Sequence, residues 1–262
     1  MIDPIAFHIG PLAVRWYGIA YGVGLILSIL ILQKLNRKRP VFSQKDQIYD
    51  LMFWVFLLGV IVGGRLGYVL FYNLPYYFVN PLEIVAIWKG GMSFHGGLIG
   101  SLLVSWTYCK KHKIDWLAAA DLAAVPAGLA LLFGRLANFV NRELVGRVIE
   151  NPRWQSFGVD FGDGMLRWPS QLFAAGKDLL IFLILLFLFH KNPRRGTLLA
   201  SFLMLYGAFR FLVEFFRAPD EQIGFIFTYF TLGQLLSLLV FLAGVMILIR
   251  RNGKGYPKIG SS

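Results

Sequence analysis

The chain has 262 residues, of which 57% are hydrophobic and only 15% are charged, and its formal net charge is +12. So few charged residues exclude an ordinary soluble domain, and the composition predicts an all-α, polytopic integral membrane protein. A single cysteine, Cys109, excludes a disulfide framework and any multi-cysteine metal or iron–sulfur site.

Seven predicted spans organise the chain. Residues 1–18 lack the basic segment and the small-residue cleavage site of a signal peptide, so we expect the first span to stay in the protein. Crossing a hydrocarbon core of about 30 Å takes about 20 helical residues. The predicted spans are residues 16–35, 51–72, 92–108, 117–139, 179–189, 197–216 and 226–249. The fifth is short as an apolar run, and we expect its helix to begin near Ser170.

Basic residues concentrate after every second predicted span. Fifteen of the 26 follow the first, third, fifth and seventh spans. The positive-inside rule places such loops in the cytoplasm, so we expect an outer amino terminus and a cytoplasmic carboxyl terminus. The net charge then reflects topology and attraction to the anionic inner leaflet, and no nucleic-acid partner is expected. We expect one transmembrane domain over residues 1–262, with residues 147–171 as an extracytoplasmic cap.

The other eleven basic residues lie in spans or on the outer side, where topology gives them no reason to be. The simplest explanation of these basic residues is an anionic ligand on the outer side. Pairing with carboxylates of the protein is the alternative. The first of these in a span, Arg65, lies in GGRLGYVLFYN (residues 63–73), whose glycines allow close helix packing. Arg65 either binds an anionic substrate or pairs with a carboxylate.

His95 stands between two glycine pairs in WKGGMSFHGGLIG, residues 88–100. Glycines beside a histidine give a ligand close access, and a histidine can transfer a proton near neutral pH. A structural role for a lone histidine is the alternative. His8, His112 and His190 are weaker candidates, because two lie in predicted cytoplasmic loops and one in the amino-terminal segment.

The stretch GRLANFVNRELVG, residues 134–146, places two cations, two amides and a carboxylate at the end of an apolar run. Arg135, Asn138 and Asn141 are spaced by three, so they share a face if the helix continues. A guanidinium with amides beside it suits a phosphate. Glu143 could orient an arginine or take a proton, and Gly146 is expected to end the helix.

Two further segments follow. Residues 147–171 combine aromatic and polar residues around the turn Gly162-Asp163-Gly164, which suggests an ordered cap with a hairpin or, alternatively, an interfacial aromatic belt. In YGAFRFLVEFFRAPD (residues 206–220), Tyr206, Arg210 and Glu214 lie on one helical stripe, with Arg217 three residues further. The Arg210–Glu214 pair could be functional or a neutralised structural pair.

These segments together resemble the prolipoprotein diacylglyceryl transferase family. Residues 134–146 match its signature G-R-x-[GA]-N-F-x-N-x-E-x-x-G at every fixed position, and the likeness extends to HIGPLAVRWYG, GGRLGYVLFYN, GGMSFHGG and YGAFRFLVEFFRAPD. It covers nearly the whole chain. One block departs from it: the family usually reads like H-P-S-Q-L-Y-E, whereas Trp168, Phe173 and Ala174 stand here in place of the histidine, the tyrosine and the carboxylate.

The resemblance implies transfer of a diacylglyceryl group from phosphatidylglycerol to the lipobox cysteine of a preprolipoprotein, at the outer side of the bacterial cytoplasmic membrane. It implies no cofactor and no metal, and a monomer is expected. By position in the motifs, it implies functional roles for Tyr17, His95, Arg135, Asn138, Glu143, Gly146, Tyr206, Arg210 and Glu214. We expect His95, Arg135, Glu143, Tyr206, Arg210 and Glu214 to be catalytic. We expect substrate binding by Tyr17, Arg65, Asn138, Asn141, Gly146 and Arg217. Our hypothesis is that Arg135 and Arg210 hold the phosphate while His95 promotes thiol deprotonation.

Two rival classes stay open on the residues alone. A transporter of an anionic solute would also use intramembrane arginines, but it normally shows an internal repeat, and none is visible. An alcohol phosphotransferase would be expected to carry aspartates for metal-assisted phosphoryl transfer, and the spans lack such a set.

Overall fold

The structure is a computed structural model that describes residues 3, 5–10, 12–87, 90–218, 225–226 and 230–250. Helices make up most of this part of the chain. In chain order they are α1 (Trp16–Lys38), α2 (Lys45–Trp54), α3 (Gly63–Tyr72), α4 (Leu74–Val79), α5 (Phe94–Lys111), α6 (Trp116–Val140), α7 (Ser170–His190), α8 (Thr197–Val213) and α9 (Leu232–Arg250). A π-helical stretch, Val55–Val62, joins α2 to α3, and short 3-10 helices cover Pro81–Val85 and Pro152–Phe157.

Three small antiparallel hairpins accompany the helices. Their strands are β1 (Ile5–Ile9) with β2 (Leu12–Arg15), β3 (Val159–Asp160) with β4 (Leu166–Arg167), and β5 (Phe225–Ile226) with β6 (Phe230–Thr231). The middle hairpin confirms the strand–turn–strand prediction around Gly162–Gly164. Its turn is held by Asp163, which bonds Arg167 at 2.6 Å. The Arg167 guanidinium lowers the pKa of the Asp163 carboxyl, so this contact is present at neutral pH and is lost only as the pH falls through that lowered pKa.

Five helical segments are long and apolar enough to cross a membrane, as expected of a polytopic membrane protein. They are α1, the continuous helix Lys45–Tyr72, α6, α7 and α9. The start of α7 at Ser170 confirms the position predicted for the fifth span. The predicted spans at 92–108 and 197–216 correspond to α5 and α8, which fall outside these five, and α8 has only 17 residues. The seventh span begins later than predicted, because a hairpin precedes Leu232.

The described residues group into two compact units: the residues before Leu35 together with those from Ala120 onward, and residues Leu35–Ala119. In the first unit, α8 packs closely on α9, and a Cβ on Gly207 would lie 2.6 Å from the Ser237 carbonyl oxygen. Gly128 allows a similarly close approach of α6 and α7, because a Cβ on Gly128 would lie 2.8 Å from the Asp178 carbonyl oxygen. The first contact joins α8 to α9, and the second joins α6 to α7.

The packing of α6 against α8 explains why an aspartate, Asp121, lies in an apolar helix. It interrupts the apolar run of α6, and it is fully buried. Its two carboxylate oxygens accept hydrogen bonds from the backbone N–H groups of Gly196 (2.6 Å) and Leu199 (2.7 Å). Asp121 therefore caps the amino terminus of α8 from a neighbouring helix, where the unpaired N–H groups and the helix dipole favour a negative charge.

In the second unit, α3 and the π-helical stretch pack against α5 through glycines. A Cβ on Gly67 would lie 2.7 Å from the Gly96 Cα, and one on Gly100 would lie 2.6 Å from the Gly59 carbonyl oxygen. The prediction that glycines of residues 63–73 allow close helix packing is confirmed. Two of the glycines near His95, Gly96 and Gly100, have the same use.

Candidate active site

A cleft in the first unit is lined by three of the arginines that were predicted to be site residues. Arg135 comes from α6, Arg210 from α8, and Arg217 from the segment after α8. The other lining residues are Leu144, Ser170, Gln171, Ala174 and Val213. Residues separated by more than 70 positions in sequence thus meet at one place, where their guanidinium groups make the surroundings strongly cationic.

Arg210 and Glu214 form the ion pair that their i,i+4 spacing predicts. Glu214 is 4% exposed, and its other carboxylate oxygen accepts a 3.0 Å bond from the Thr231 hydroxyl. Gly233 leaves room for this arrangement, because a Cβ there would lie 2.6 Å from Glu214 Oε1. Glu214 is therefore held on two sides and fixes Arg210 at the cleft.

A second carboxylate, Asp178 on α7, lies beside Arg135. Its Oδ2 is 3.9 Å from Arg135 Nε, and its Oδ1 pairs with the adjacent Lys177. The Lys177 ammonium also stands 4.3 Å from the centroid of the Tyr206 ring, a cation–π contact. Three cations (Arg135, Lys177, Arg210) accompany two carboxylates in this cluster, which leaves an excess of positive charge.

The helix α6 ends before Gly146, so the prediction that Gly146 ends it is wrong. Arg142 adopts the left-handed conformation (φ 59°), the N–H of Arg142 bonds the Phe139 carbonyl at 3.2 Å, and the N–H of Glu143 bonds the Asn138 carbonyl at 2.9 Å. This is a Schellman motif with arginine in the position that glycine usually occupies. Leu144 is also left-handed (φ 55°).

The turn that follows α6 presents Glu143 to two amides. The side chains of Asn138 and Asn141 donate to the Glu143 carboxylate at 3.0 Å and 3.4 Å. Asn141 lies one residue beyond the helix, so the turn, rather than a shared helix face, brings the two amides together. Gln171 of α7 donates to the Glu143 carbonyl oxygen at 2.8 Å and ties this turn to the cleft wall.

Tyr17, at the start of α1, joins the same group. Its hydroxyl lies 3.1 Å from that of Tyr21 and is close to the Asn138 side chain. Tyr21 in turn lies over Gly134, where a Cβ would be 3.4 Å from the Tyr21 hydroxyl oxygen. The structure thus places Tyr17 beside the set in which Asn138 and Asn141 hydrogen-bond Glu143.

Gly146 lies where three chain segments meet. It pairs with Arg217, and a Cβ at Gly146 would collide with the carbonyl oxygens of Trp168 and Phe216. The N–H of Arg147 bonds the Phe216 carbonyl at 2.9 Å, and its Nε bonds the Arg217 carbonyl at 3.0 Å. Gly146 is therefore required by close backbone approach, which anchors residues 147–171 to the end of α8.

The residues that depart from the family pattern form an apolar cluster. The rings of Trp168, Phe173 and Phe216 lie 5.2 to 6.1 Å apart, centroid to centroid. Ala174, where the pattern has a carboxylate, lines the cleft. Aromatic contacts thus occupy the place where the family pattern has hydrogen-bonding groups.

Arg65 belongs to the second unit and is 4% exposed. Its guanidinium donates to the backbone carbonyls of residues 83, 84, 86, 90 and 91, with Nε–Ile84 O at 2.8 Å and Nη2–Glu83 O at 2.7 Å. It also lies 5.2 Å from the Tyr77 ring centroid. These partners are backbone carbonyls and a ring, rather than the carboxylate that the structural alternative expected.

His95, in the same unit, is the second residue of α5, and its side chain is exposed. Ser93 caps this helix, and its hydroxyl accepts a 3.2 Å bond from the Gly96 N–H. The carbonyls that Arg65 holds at Gly90 and Gly91 lie in the loop that leads to this cap. Arg65 thus acts on the segment that places His95.

Sequence reasoning did not select Gln171, which lines the cleft, or Lys177 and Asp178 further along α7, although all three are buried. The sequence places the charged pair Lys177-Asp178 next to an apolar run, and charges in or beside an apolar run are the same signal that selected Arg210 and Glu214. Among the described residues, no group of three or more His, Cys, Asp or Glu side chains is placed to hold a metal ion.

The helical protein thus combines apolar, membrane-length helices with a cleft that three arginines and one glutamine line. Comparison with known proteins makes this specific. Residues 4–250 match the family described as "Prolipoprotein diacylglyceryl transferase", and the chain belongs to this family.

Three curated relatives of similar length are each named phosphatidylglycerol–prolipoprotein diacylglyceryl transferase. The chain is 42% identical to one from Rickettsia bellii, with 98% of each chain covered. It is 43% identical to one from Geobacter sulfurreducens, over 97% of this chain and 98% of the relative, and 44% identical to one from Dechloromonas aromatica, over 94% of each.

Proposed function

We propose that this protein transfers the diacylglyceryl group of phosphatidylglycerol to the lipobox cysteine of preprolipoproteins, the first step of lipoprotein maturation. The observation that carries the proposal is the cleft between α6, α7 and α8, where Arg135 and Arg210 converge and cations exceed carboxylates. Such a cleft suits a phosphodiester, and the family and its named relatives agree with it.

The reaction forms one bond and breaks one. The cysteine thiol loses its proton, its sulfur attacks the glyceryl carbon that bears the phosphate, a carbon–sulfur bond forms, and the carbon–oxygen bond to the phosphate breaks. Glycerol phosphate leaves with the bonding electron pair. Negative charge therefore moves from sulfur to the phosphate, and arginines fixed beside the phosphate stabilise the transition state.

Each predicted residue has a place in this proposal. Arg135 and Arg210 hold the phosphate, Glu214 fixes Arg210, and Tyr206 shapes the wall on α8. Glu143, oriented by Asn138 and Asn141, and Tyr17 bind polar parts of the substrate, while His95 promotes loss of the thiol proton. Arg217 lines the cleft, Gly146 anchors its rim, and Arg65 acts through the loop before His95.

The finer topology is part of the proposal. We infer that the protein resides in the bacterial cytoplasmic membrane as a monomer with seven spans, an outer amino terminus and a cytoplasmic carboxyl terminus. The active site then faces the outer side, where lipid and preprolipoprotein both reach it. The alternation of basic loops supports this orientation.

The test is transfer from phosphatidylglycerol to a lipobox peptide by purified protein in detergent, followed as the mass increase of the peptide. We expect Arg135→Ala and Arg210→Ala to lower the rate by roughly 100-fold or more, because each removes a group that stabilises transition-state charge. His95→Gln is expected to slow thiol attack. Arg153→Ala is the matched control, since Arg153 is exposed and contacts Trp154 outside the cleft.

Full activity in either arginine variant would contradict the assignment of the phosphate site. A chelator added to the same assay separates the rival enzyme class, since a metal-assisted phosphotransferase would lose activity. Solute uptake without peptide modification would instead indicate a transporter.

A further inference from the structure

Two neighbouring charged residues of α7, Lys177 and Asp178, are buried beside the cleft and have no role in the reaction described so far. Lys177 is 7% exposed, and Asp178 is fully buried. They lie two turns beyond Ser170, on the face that also brings Gln171 and Ala174 to the cleft. Charges buried in an apolar helix are costly unless they are paired, so their partners indicate what they do.

Asp178 is shared unequally between two cations. Its Oδ1 pairs closely with the Lys177 ammonium, whereas its Oδ2 is 3.9 Å from Arg135 Nε, beyond hydrogen-bond distance. This Oδ2 is buried and has no hydrogen-bond donor among the described residues. A buried carboxylate oxygen in this state attracts the nearest guanidinium, so Asp178 competes for Arg135 with an anion that enters the cleft.

Lys177 limits this competition, because its ammonium compensates the charge of Asp178. The same ammonium lies over the Tyr206 ring, at 4.3 Å from its centroid. The series Arg135, Asp178, Lys177 and Tyr206 therefore runs from α6 through α7 to α8.

We propose that Lys177 is a positioning residue: by neutralising Asp178, it keeps Arg135 available to the lipid phosphate, and it holds Tyr206 against the same wall. The inference rests on the proposed function, since it takes the phosphate of phosphatidylglycerol as the ligand of Arg135. Lys177 itself makes no contact with the substrate in this proposal.

The experiment measures KM for phosphatidylglycerol and kcat separately in the peptide-transfer assay. Lys177→Met is expected to raise KM roughly 10-fold or more, because the uncompensated Asp178 then draws Arg135 into a close ion pair. Lys177→Arg keeps the charge and is expected to retain a KM near that of the wild type. Lys191→Met is the matched control, since Lys191 is exposed at the end of the same helix and contacts the Phe187 ring at 5.1 Å.

A second-site variant separates positioning from folding and from direct contact. Lys177→Met/Asp178→Asn removes the competing charge and is expected to return KM to within about threefold of the wild type. It also buries no lone charge, so it carries the test if Lys177→Met alone does not fold. A wild-type KM in Lys177→Met, or a KM still raised in the double variant, would overturn the proposal. Failure of the wild type to transfer lipid would instead contradict the proposed function.

Discussion

The carboxylate of Glu143 is oriented by two amides rather than by a cation. Asn138 and Asn141 each donate to one of its oxygens, and Tyr17 lies close to Asn138 at the start of α1. Amide donors hold a carboxylate in place without pairing it with a cation, so the Glu143 oxygens can also accept a hydrogen bond from a substrate hydroxyl. Glu143 therefore keeps oxygens free of a cation, which an ion pair would have occupied.

Glu143→Gln is expected to lower transfer by roughly 10- to 100-fold while the protein remains folded. A glutamine side chain has one acceptor oxygen, so one of the two asparagine amides would face another N–H donor and lose its bond, at a cost of about 1–3 kcal/mol. Initial rates with phosphatidylglycerol and peptide measure the effect. Glu150→Gln, at an exposed position outside the cleft, is the control; equal rates for both variants would argue against a role for Glu143.

At the scale of elements, spacing along one helix predicts contacts within that helix but not between helices. The pair Arg210–Glu214 and the start of α7 at Ser170 follow from periodicity and composition, and both are confirmed. The carbonyl cage around Arg65 and the approach of Asp178 to Arg135 join residues about 20 to 43 positions apart. Only the packed structure reveals such contacts, because no local pattern in the sequence records them.

Gly146 is a second example of a contact between separate segments that no local sequence pattern records. A glycine after an apolar helix predicts a helix end, yet α6 stops at Val140 and Gly146 serves a crossing of three backbones. Glycine is common in both situations, since both exclude a Cβ. A glycine indicates that a side chain is disfavoured at its position, and the structure shows which neighbouring atoms a Cβ at Gly146 would meet.

Gly146→Ala is expected to destabilise the protein by about 1–3 kcal/mol, because its Cβ would overlap the carbonyl oxygens of Trp168 and Phe216. Each kcal/mol corresponds to roughly 2–4 °C in Tm for a chain of this size. Thermal unfolding in detergent measures the change. Gly176→Ala is the matched substitution, since Gly176 lies in α7 with no atom within 4 Å of its added Cβ, and it is expected to leave Tm unchanged or raise it.

At the scale of the whole molecule, the distribution of basic residues is the strongest guide to orientation. Fifteen of the 26 basic residues follow alternate predicted spans, whereas five segments of the structure satisfy the length and hydropathy expected of membrane-crossing helices. Charge alternation and helix length report different properties: the first reflects insertion across the membrane, and the second reflects the thickness of the bilayer. Orientation therefore needs its own experiment.

A single-cysteine labelling experiment is well suited to this chain, because its natural cysteine, Cys109, is fully buried. Ser156→Cys, exposed in the 147–171 segment, is expected to react with a membrane-impermeant maleimide in right-side-out vesicles. Ser43→Cys, exposed in the loop after α1, is expected to react only after permeabilisation. The same serine-to-cysteine change is made in both variants, so exchanged reactivities would reverse the proposed topology.

The left-handed residues at the end of α6 have a practical consequence for anyone who handles this enzyme outside its membrane. An L-residue in that conformation costs roughly 1–2 kcal/mol, whereas glycine adopts it freely and loses roughly 0.5–1 kcal/mol through the entropy of the unfolded chain. Arg142 is such a residue, and its side chain is exposed. Thermostabilisation of the protein for detergent work therefore has a defined starting point in Arg142→Gly, which would relieve backbone strain at a helix terminus.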